Sequence, residues 1–295
     1  MKSVTEIVLG IDIGGSHITV ALVDLTCSKI IDNSCHRKEV DAKGTAAQIL
    51  SSWCSLINLA YKDQNNIKKR IGISMPGPFD YDEGICLIED QDKFRSLFKL
   101  NLKKELAARL AMDAADVKFL NDAAAFLKGE VYSGAARNSQ NAIGITLGTG
   151  LGSAFYREGK ALDAALWQSP FKKGIAEDYL STRWFLKRYH ELTGLEVKGV
   201  KELNGLQDQE KVVQTIFEEF GNHLAEFLIP IIAQQGAHDV VLGGNIANAH
   251  AHFMPYLVSK LNNNKVQHKI TKLQESATLL GEASYWAHQK SDVKI

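Results

Sequence analysis

Three glycine turns and a few polar side chains beside them carry the chemistry this chain offers. The turns are Gly14 and Gly15 in GIDIGGSH, Gly148 to Gly152 in LGTGLG, and Gly243 and Gly244 in VLGGN, each following an apolar run. A glycine turn after a strand lets ligand oxygens approach the main chain and presents unpaired amides to them, which cradles phosphate without a large basic patch. Taken singly, each pair also fits a hairpin or helix entry. Neither a GxxxxGKS loop nor a GxGxxG fingerprint is present, and GTGLG misses the latter by spacing. Asp12 precedes the first turn, and Asn121 and Asp122 follow the apolar run Val117 to Leu120. Asp12 could simply accept turn amides, and Asn121 or Asp122 could cap the following helix. Capping needs one of them, so two polar residues exceed that requirement.

The elements that position these residues are legible in outline. Ile7 to Ile13 and Ile18 to Val23 read as antiparallel strands around a tight turn, with a third strand near Lys29 to Cys35. Apolar residues at helical spacing predict a helix over Thr45 to Tyr61, and Ile71 to Ser74 is a short buried strand ending in MPGP. Leu102 to Leu110 reads as a helix, Val117 to Leu120 as a strand, and a helix opens at Asn121. The pattern then begins again: IVLGIDIGGS (Ile7 to Ser16) aligns with NAIGITLGTG (Asn141 to Gly150), so two domains of related topology are expected. Helices follow around Ile175 to Leu192 and Lys211 to Gln235, then a strand at Asp239 to Leu242 and helices near Pro255 to Leu261 and Glu275 to Ala287. Strands first, then alternating helices and strands, make a mixed α/β layout.

Composition excludes several classes. The 295 residues suffice for two domains, and 34 basic residues balance 34 acidic ones, so nothing electrostatic points to nucleic acid or an anionic membrane. MKSVTEIVLG is too short in apolar residues for a secretory segment, and LAEFLIPIIA carries Glu226 and Pro230 and falls far below the roughly 20 residues needed to span a bilayer. Cys27, Cys35, Cys54 and Cys86 lack CxxC spacing. Free thiols in a cytoplasmic protein are expected.

Taken together, DIGGS, PGP at Pro76 to Pro78, NDA at Asn121 to Ala123, GTGLG and VLGGN resemble the ROK family of sugar kinases and repressors, within the actin-like ATPase superfamily, over nearly the whole chain. The set is specific although no member of it is. The resemblance implies an α/β fold of two RNase H-like domains with an interdomain cleft. These are expected over 1–120 and 121–280, with a helix of about 281–295 packing back on the first. It implies ATP and Mg²⁺ as cofactors, a small sugar as partner, and glucokinase-like phosphorylation of a hexose or N-acetylhexosamine. Gly14, Gly15 and Ser16 then meet the β- and γ-phosphates while Asp12 faces Mg²⁺ or its waters. Gly148, Thr149 and Gly150 form the second phosphate turn, and Gly243, Gly244 and Asn245 back the purine and ribose. Asp122 is the general base that takes the hydroxyl proton, and Asn121, Gly77 and Glu177 contact the sugar.

The departures are equally informative. Family kinases carry a GExGH sugar clamp and a CxCGxxGCxE zinc motif, but here the region reads ALDAALWQSPFKKGIAEDYLS, without His or Cys. No structural zinc is expected. Gln168, Glu89, Asp90 and Asp92 are further candidates for sugar hydroxyls. A repressor of this family needs a helix-turn-helix segment before the first glycine hairpin, where only about ten residues stand, so a kinase is expected, with a catalytically silent sugar sensor as the alternative. Homodimers are common in the family, but no segment marks an interface.

Overall fold

The computed structural model describes residues 6–64, 67–89, 93–261 and 266–287. In chain order come β1 (Ile7–Ile13), β2 (His17–Asp24), β3 (Lys29–Ile30), β4 (His36–Glu39), α1 (Ala46–Ala60) and β5 (Ile71–Ser74). The short hairpin β6 (Phe79–Asp80) and β7 (Ile85–Cys86), α2 (Leu102–Leu110), β8 (Val117–Leu120) and α3 (Asp122–Ser133) follow. Next are β9 (Asn141–Leu147), β10 (Leu151–Arg157), β11 (Lys160–Asp163), the hairpin β12 (Pro170–Phe171) and β13 (Gly174–Ile175), α4 (Ala176–Tyr179) and α5 (Thr182–Thr193). The chain ends its described part with α6 (Val200–Asn204), α7 (Glu210–Gln235), β14 (Asp239–Gly243), α8 (His250–Leu261), β15 (Gln267–Ile270) and α9 (Ser276–Ala283).

Residues up to Ser133 together with those from Glu275 form one compact unit, and Gly134–Gln274 form the other. Each is built on one sheet, and the two sheets share a plan. The first has the order β3-β2-β1-β5-β8, with β4 also on β2; the second has β11-β10-β9-β14-β15. In both, three strands joined by turns run antiparallel; the first of them pairs in parallel with a later strand reached through a helix, and that strand pairs in parallel with a further one. The two aligned segments therefore occupy equivalent strands, β1 and β9. Strands covered on both faces are continuously apolar, and β5 and β14 are buried along their whole length.

Helix α1 starts at Thr45, whose hydroxyl accepts the Gln48 amide while Gln48 reaches back to the Thr45 amide. Its buried face, Ile49, Leu50, Trp53, Leu56, Ile57 and Ala60, follows the helical spacing of the sequence. The division between units falls after Ser133 rather than Leu120, because α3 packs along α9 through small residues. A carbon placed on Gly129 would lie 1.8 Å from the Ala277 carbonyl oxygen, and one on Gly281 would lie 1.8 Å from that of Ala125. Helix α9 ends at Ala283 and a tighter turn carries the chain to Trp286; of the helix expected over about 281–295, residues 288–295 lie outside the described residues.

Two elements differ from the sequence reading. Of the expected strand near Lys29 to Cys35 only β3, Lys29–Ile30, forms, and β4 starts beyond it at His36; between them Asn33 adopts a left-handed conformation and the Ser34 hydroxyl accepts the Leu22 amide. The helix expected over Ile175 to Leu192 breaks at Ser181, which is extended, so that α5 begins against the second glycine turn. The four cysteines carry free thiols, and among the described residues no helix is long and apolar enough to cross a membrane.

Candidate active site

In the first unit, polar residues collect at the carboxyl ends of the parallel strands, where open α/β sheets leave room for ligands. Asp12 on β1 lies abreast of Ser74 on β5, which lies abreast of Leu120 on β8. The Ser74 hydroxyl donates to Asp12 Oδ1 at 2.6 Å. Beyond Asp12 the chain turns: the Gly14 amide bonds the His17 carbonyl at 2.9 Å, leaving Gly15 and Ser16 exposed at the tip. Beyond Leu120, Asn121 is buried and caps α3, its Oδ1 accepting the amides of Ala123 at 2.9 Å and Ala124 at 3.1 Å. Asp122 Oδ1 also accepts the Ala123 amide, at 2.9 Å, while its carboxylate stands exposed on the first turn, at the positive end of the helix.

Gly77 lies in the Pro76–Gly77–Pro78 segment that leaves β5. Tyr81 ties this segment to the cap: its hydroxyl donates to the Met75 carbonyl at 3.0 Å and faces Asn121 Nδ2 at 3.4 Å. Burial pushes the Asp12 carboxyl above its ordinary 3.8, the Ser74 hydrogen bond works against this, and the negative charge of Asp122 adds to the rise. Asp12 and Asp122 therefore share one electrostatic environment. Carboxylates that repel one another would gain from a divalent cation, and Mg²⁺ commonly takes only one or two carboxylates plus substrate phosphates and water. Among the described residues no group of three or more His, Cys, Asp or Glu could hold a metal by protein ligands alone.

Glu282 on α9 is the carboxyl the motifs did not reveal. It is fully buried, and its Oε2 accepts the Ile11 amide at 2.7 Å, one residue before Asp12. Its Oε1 is buried without a hydrogen-bond partner. Burial, and next the charge of Asp12, push this carboxyl well above its ordinary 4.5. The folded chain therefore holds this proton more tightly than the unfolded one does. The stability this contributes is fully present below pH 4.5 and is lost as pH rises toward the raised folded value. Glu282→Gln, which keeps an acceptor for Ile11, is expected to match wild type in thermal unfolding near pH 4.5 and to exceed it by roughly 1–3 kcal/mol near pH 8. Equal gains at both pH values would contradict this.

In the second unit the two other glycine turns meet. Gly148 closes its turn by donating to the Gly150 carbonyl at 3.0 Å, and Thr149 is exposed at the tip. The Thr182 amide and hydroxyl both donate to the Gly148 carbonyl, at 2.8 and 2.9 Å. Gly244 has φ +83°, and a carbon placed on it would lie 2.4 Å from the Leu147 carbonyl oxygen, so the Gly243–Asn245 turn lies against the stem of this hairpin. Glu177 on α4 braces the same place: Oε2 accepts the Leu151 amide at 3.0 Å and Oε1 pairs with Arg183 Nη2 at 2.5 Å.

Where the sequence lacks the family's zinc cysteines, aromatic rings pack. Phe171 on β12 meets Tyr179, Phe227 and His223 with centroids 5.5, 5.6 and 6.3 Å away, and His223 also meets Trp184 at 5.3 Å. Burial, aided by the charge of Lys172, drives His223 down to about 4, so its ring is neutral at pH 7. Trp184 is core, while Trp167 is exposed; Asp90 and Asp92 lie outside the described residues.

Ser74, Glu282, Thr182 and Arg183 were not singled out in the sequence. A serine in the fully buried strand IGIS and a lone carboxylate in the apolar stretch ATLLGEA were the available signals for the first two. The other two had none, since their partners lie outside their own helix.

Known proteins resemble this chain in sequence and in fold. The chain is similar to N-acetyl-D-glucosamine kinase of Pectobacterium atrosepticum, 24% identical over 270 residues covering 81% of this chain and 84% of that protein. Its fold is similar to a glucokinase of Parabacteroides distasonis, with TM-score 0.81 and 19% identity, covering 97% of this chain and 98% of that one. It is also similar to a ROK family glucokinase of Streptomyces griseus solved with glucose and AMPPNP, with TM-score 0.74 and 21% identity, covering 95% and 98%. The ROK family profile matches residues 8–164 and 171–290, a match interrupted only where the sugar-clamp region departs from the family pattern, and the chain belongs to the ROK family.

Proposed function

We propose that this protein is an ATP-dependent sugar kinase that phosphorylates a hydroxyl of a hexose or N-acetylhexosamine, with Asp122 as general base. The observation that carries the reading is the division of labour at the start of α3. Buried Asn121 takes the Ala123 and Ala124 amides, and exposed Asp122, with one oxygen on the Ala123 amide, presents a carboxylate at the same strand ends as Asp12 and the first glycine turn.

Asp122 accepts the proton of the attacking hydroxyl and aims its oxygen at the γ-phosphorus. Asn121, whose Oδ1 serves the cap while its Nδ2 still carries a hydrogen beyond the one facing Tyr81, and Gly77 hold the sugar. Glu177 adds a contact, because a carboxylate has about four acceptor sites and two are engaged here. Gly14, Gly15 and Ser16 in the first unit, and Gly148, Thr149 and Gly150 in the second, present amides to the donor phosphates; Gly243, Gly244 and Asn245 support the nucleoside. Asp12 would hold Mg²⁺, directly or through water. Bound there, the ion neutralises charge on the phosphate oxygens. The relatives being N-acetyl-D-glucosamine kinases supports an N-acetylhexosamine as the first sugar to try.

The test is a coupled ADP-release assay of the pure protein with Mg²⁺-ATP across hexoses and N-acetylhexosamines. Turnover with one class is expected. Silence across the panel, with sugars still raising the melting temperature, would replace this reading by the sugar sensor that the missing clamp admits.

A further inference from the structure

We infer that a cavity beside the first glycine turn is a cationic site for a phosphoryl group, held by Lys93 and Lys43. The cavity measures about 470 Å³ and is lined by Gly15, Ser16, Val40, Ala42 and the charged residues Asp41, Lys43 and Lys93. No sequence motif pointed to either lysine. The inference deepens, and rests on, the reading of Gly14 to Ser16 as the donor's phosphate turn.

Three features make this a built site and not a pair of stray surface charges. First, the loop is tied to the turn: the Val40 amide donates to the Ser16 carbonyl at 2.9 Å. Second, the segment bearing Lys93 is pinned to the loop bearing Lys43. The Phe94 amide donates to the Ala42 carbonyl at 2.7 Å and the Ser96 hydroxyl to the Gly44 carbonyl at 2.8 Å, while the buried Phe94 ring packs on Trp53 with centroids 5.8 Å apart. Third, Lys93 is half-buried and lies across Gly15. A carbon placed on Gly15 would come within 3.1 Å of Lys93 Cδ and 3.7 Å of its Nζ, so the missing side chain there leaves room for the lysine.

The charges around the cavity favour an anion. Among the described residues Asp41 is the one acid in its lining, and its Oδ1 already accepts the Lys43 amide at 3.0 Å within its own loop. Lys93, lying across Gly15, and exposed Lys43 then set two positive charges in the lining against that one acid. A lysine acts on phosphate as a point charge with three donors, and amides at a glycine tip supply further donors to the same oxygens. A phosphoryl group is the ligand class that uses both. It can arrive as the terminal part of the nucleotide or as free inorganic phosphate chains.

The test titrates the full chain by calorimetry with Mg²⁺-ATP and, separately, with inorganic tripolyphosphate, in wild type, Lys43→Met, Lys93→Met and the double variant. Lys→Arg at both positions serves as rescue, and melting temperatures check folding. The expected result is a Kd raised about tenfold by each single methionine substitution, more by both, and restored in large part by arginine. Weakening toward both ligands assigns the site to the nucleotide's terminal phosphates; weakening toward tripolyphosphate alone assigns it to free phosphate. Unchanged Kd values, or a wild type that binds neither ligand, overturn the site. Sugar turnover measured in parallel separates the two readings. A wild type that turns over while its lysine variants bind ATP and tripolyphosphate normally keeps the kinase and loses this site. Lysine-dependent tripolyphosphate binding without turnover does the reverse.

Discussion

Asp122→Asn is expected to lower kcat for sugar phosphorylation by about 10³-fold while leaving the KM for sugar within a few-fold. The size follows from what the substitution removes. Asparagine matches the shape of aspartate but cannot take a proton, so ground-state contacts survive and the proton acceptor is lost. Stability should not fall, because Asn121 keeps its two helix amides, asparagine keeps an Oδ1 acceptor for the Ala123 amide, and the exposed position leaves no cavity. A melting temperature equal to or slightly above wild type is expected, since the charge that raises the Asp12 carboxyl has gone. The checks are ADP release at saturating sugar and a thermal melt in the same buffer. Turnover within tenfold of wild type would remove Asp122 from the role of base.

Gly129→Ala is expected to cost roughly 3 kcal/mol of stability or more, against the direction local propensity indicates. Within a helix, alanine is better than glycine by about 1 kcal/mol. At Gly129, however, the added carbon would sit 1.8 Å from a backbone oxygen of α9, and backbone cannot swing aside as a side chain can. Packing outweighs propensity, α9 must shift, and with it Glu282 and the strands that carry Asp12 and Ser74. Gly148→Ala makes the opposite control, because no atom lies within 4 Å of a carbon placed there. Its melting temperature should hold while the affinity for Mg²⁺-ATP falls. Denaturant unfolding of both variants, with ATP titration of the second, checks the pair. A stable Gly129→Ala protein would show that the two helices have slack the structure does not suggest.

What could be read without coordinates was everything with a local cause. The strands β1, β5 and β8 and helix α2 were legible from alternation, apolar runs and helical spacing, because neighbours along the chain set those conformations. The repeat of strand and glycine turn pointed to two related units for the same reason. The break at Ser181 was not legible: the apolar spacing continues through it, and what ends α4 is the pull of the Gly148 carbonyl on Thr182, some thirty positions away.

The same distinction runs through the site. Its residue types, the glycine turns and the pair Asn121 and Asp122, were determined by the sequence, since phosphate cradles and helix caps need particular side chains at particular spacings. Which member of that pair is buried and which stays exposed, how Ser74 meets Asp12, why the Glu282 carboxyl is raised, and that Lys93 lies across Gly15 were decided only by the tertiary structure. The contacts behind them join segments far apart in the chain, 62 residues for Ser74 and Asp12 and 271 for Glu282 and Ile11. Such contacts are set by how helices and strands pack, and packing leaves no period along the chain.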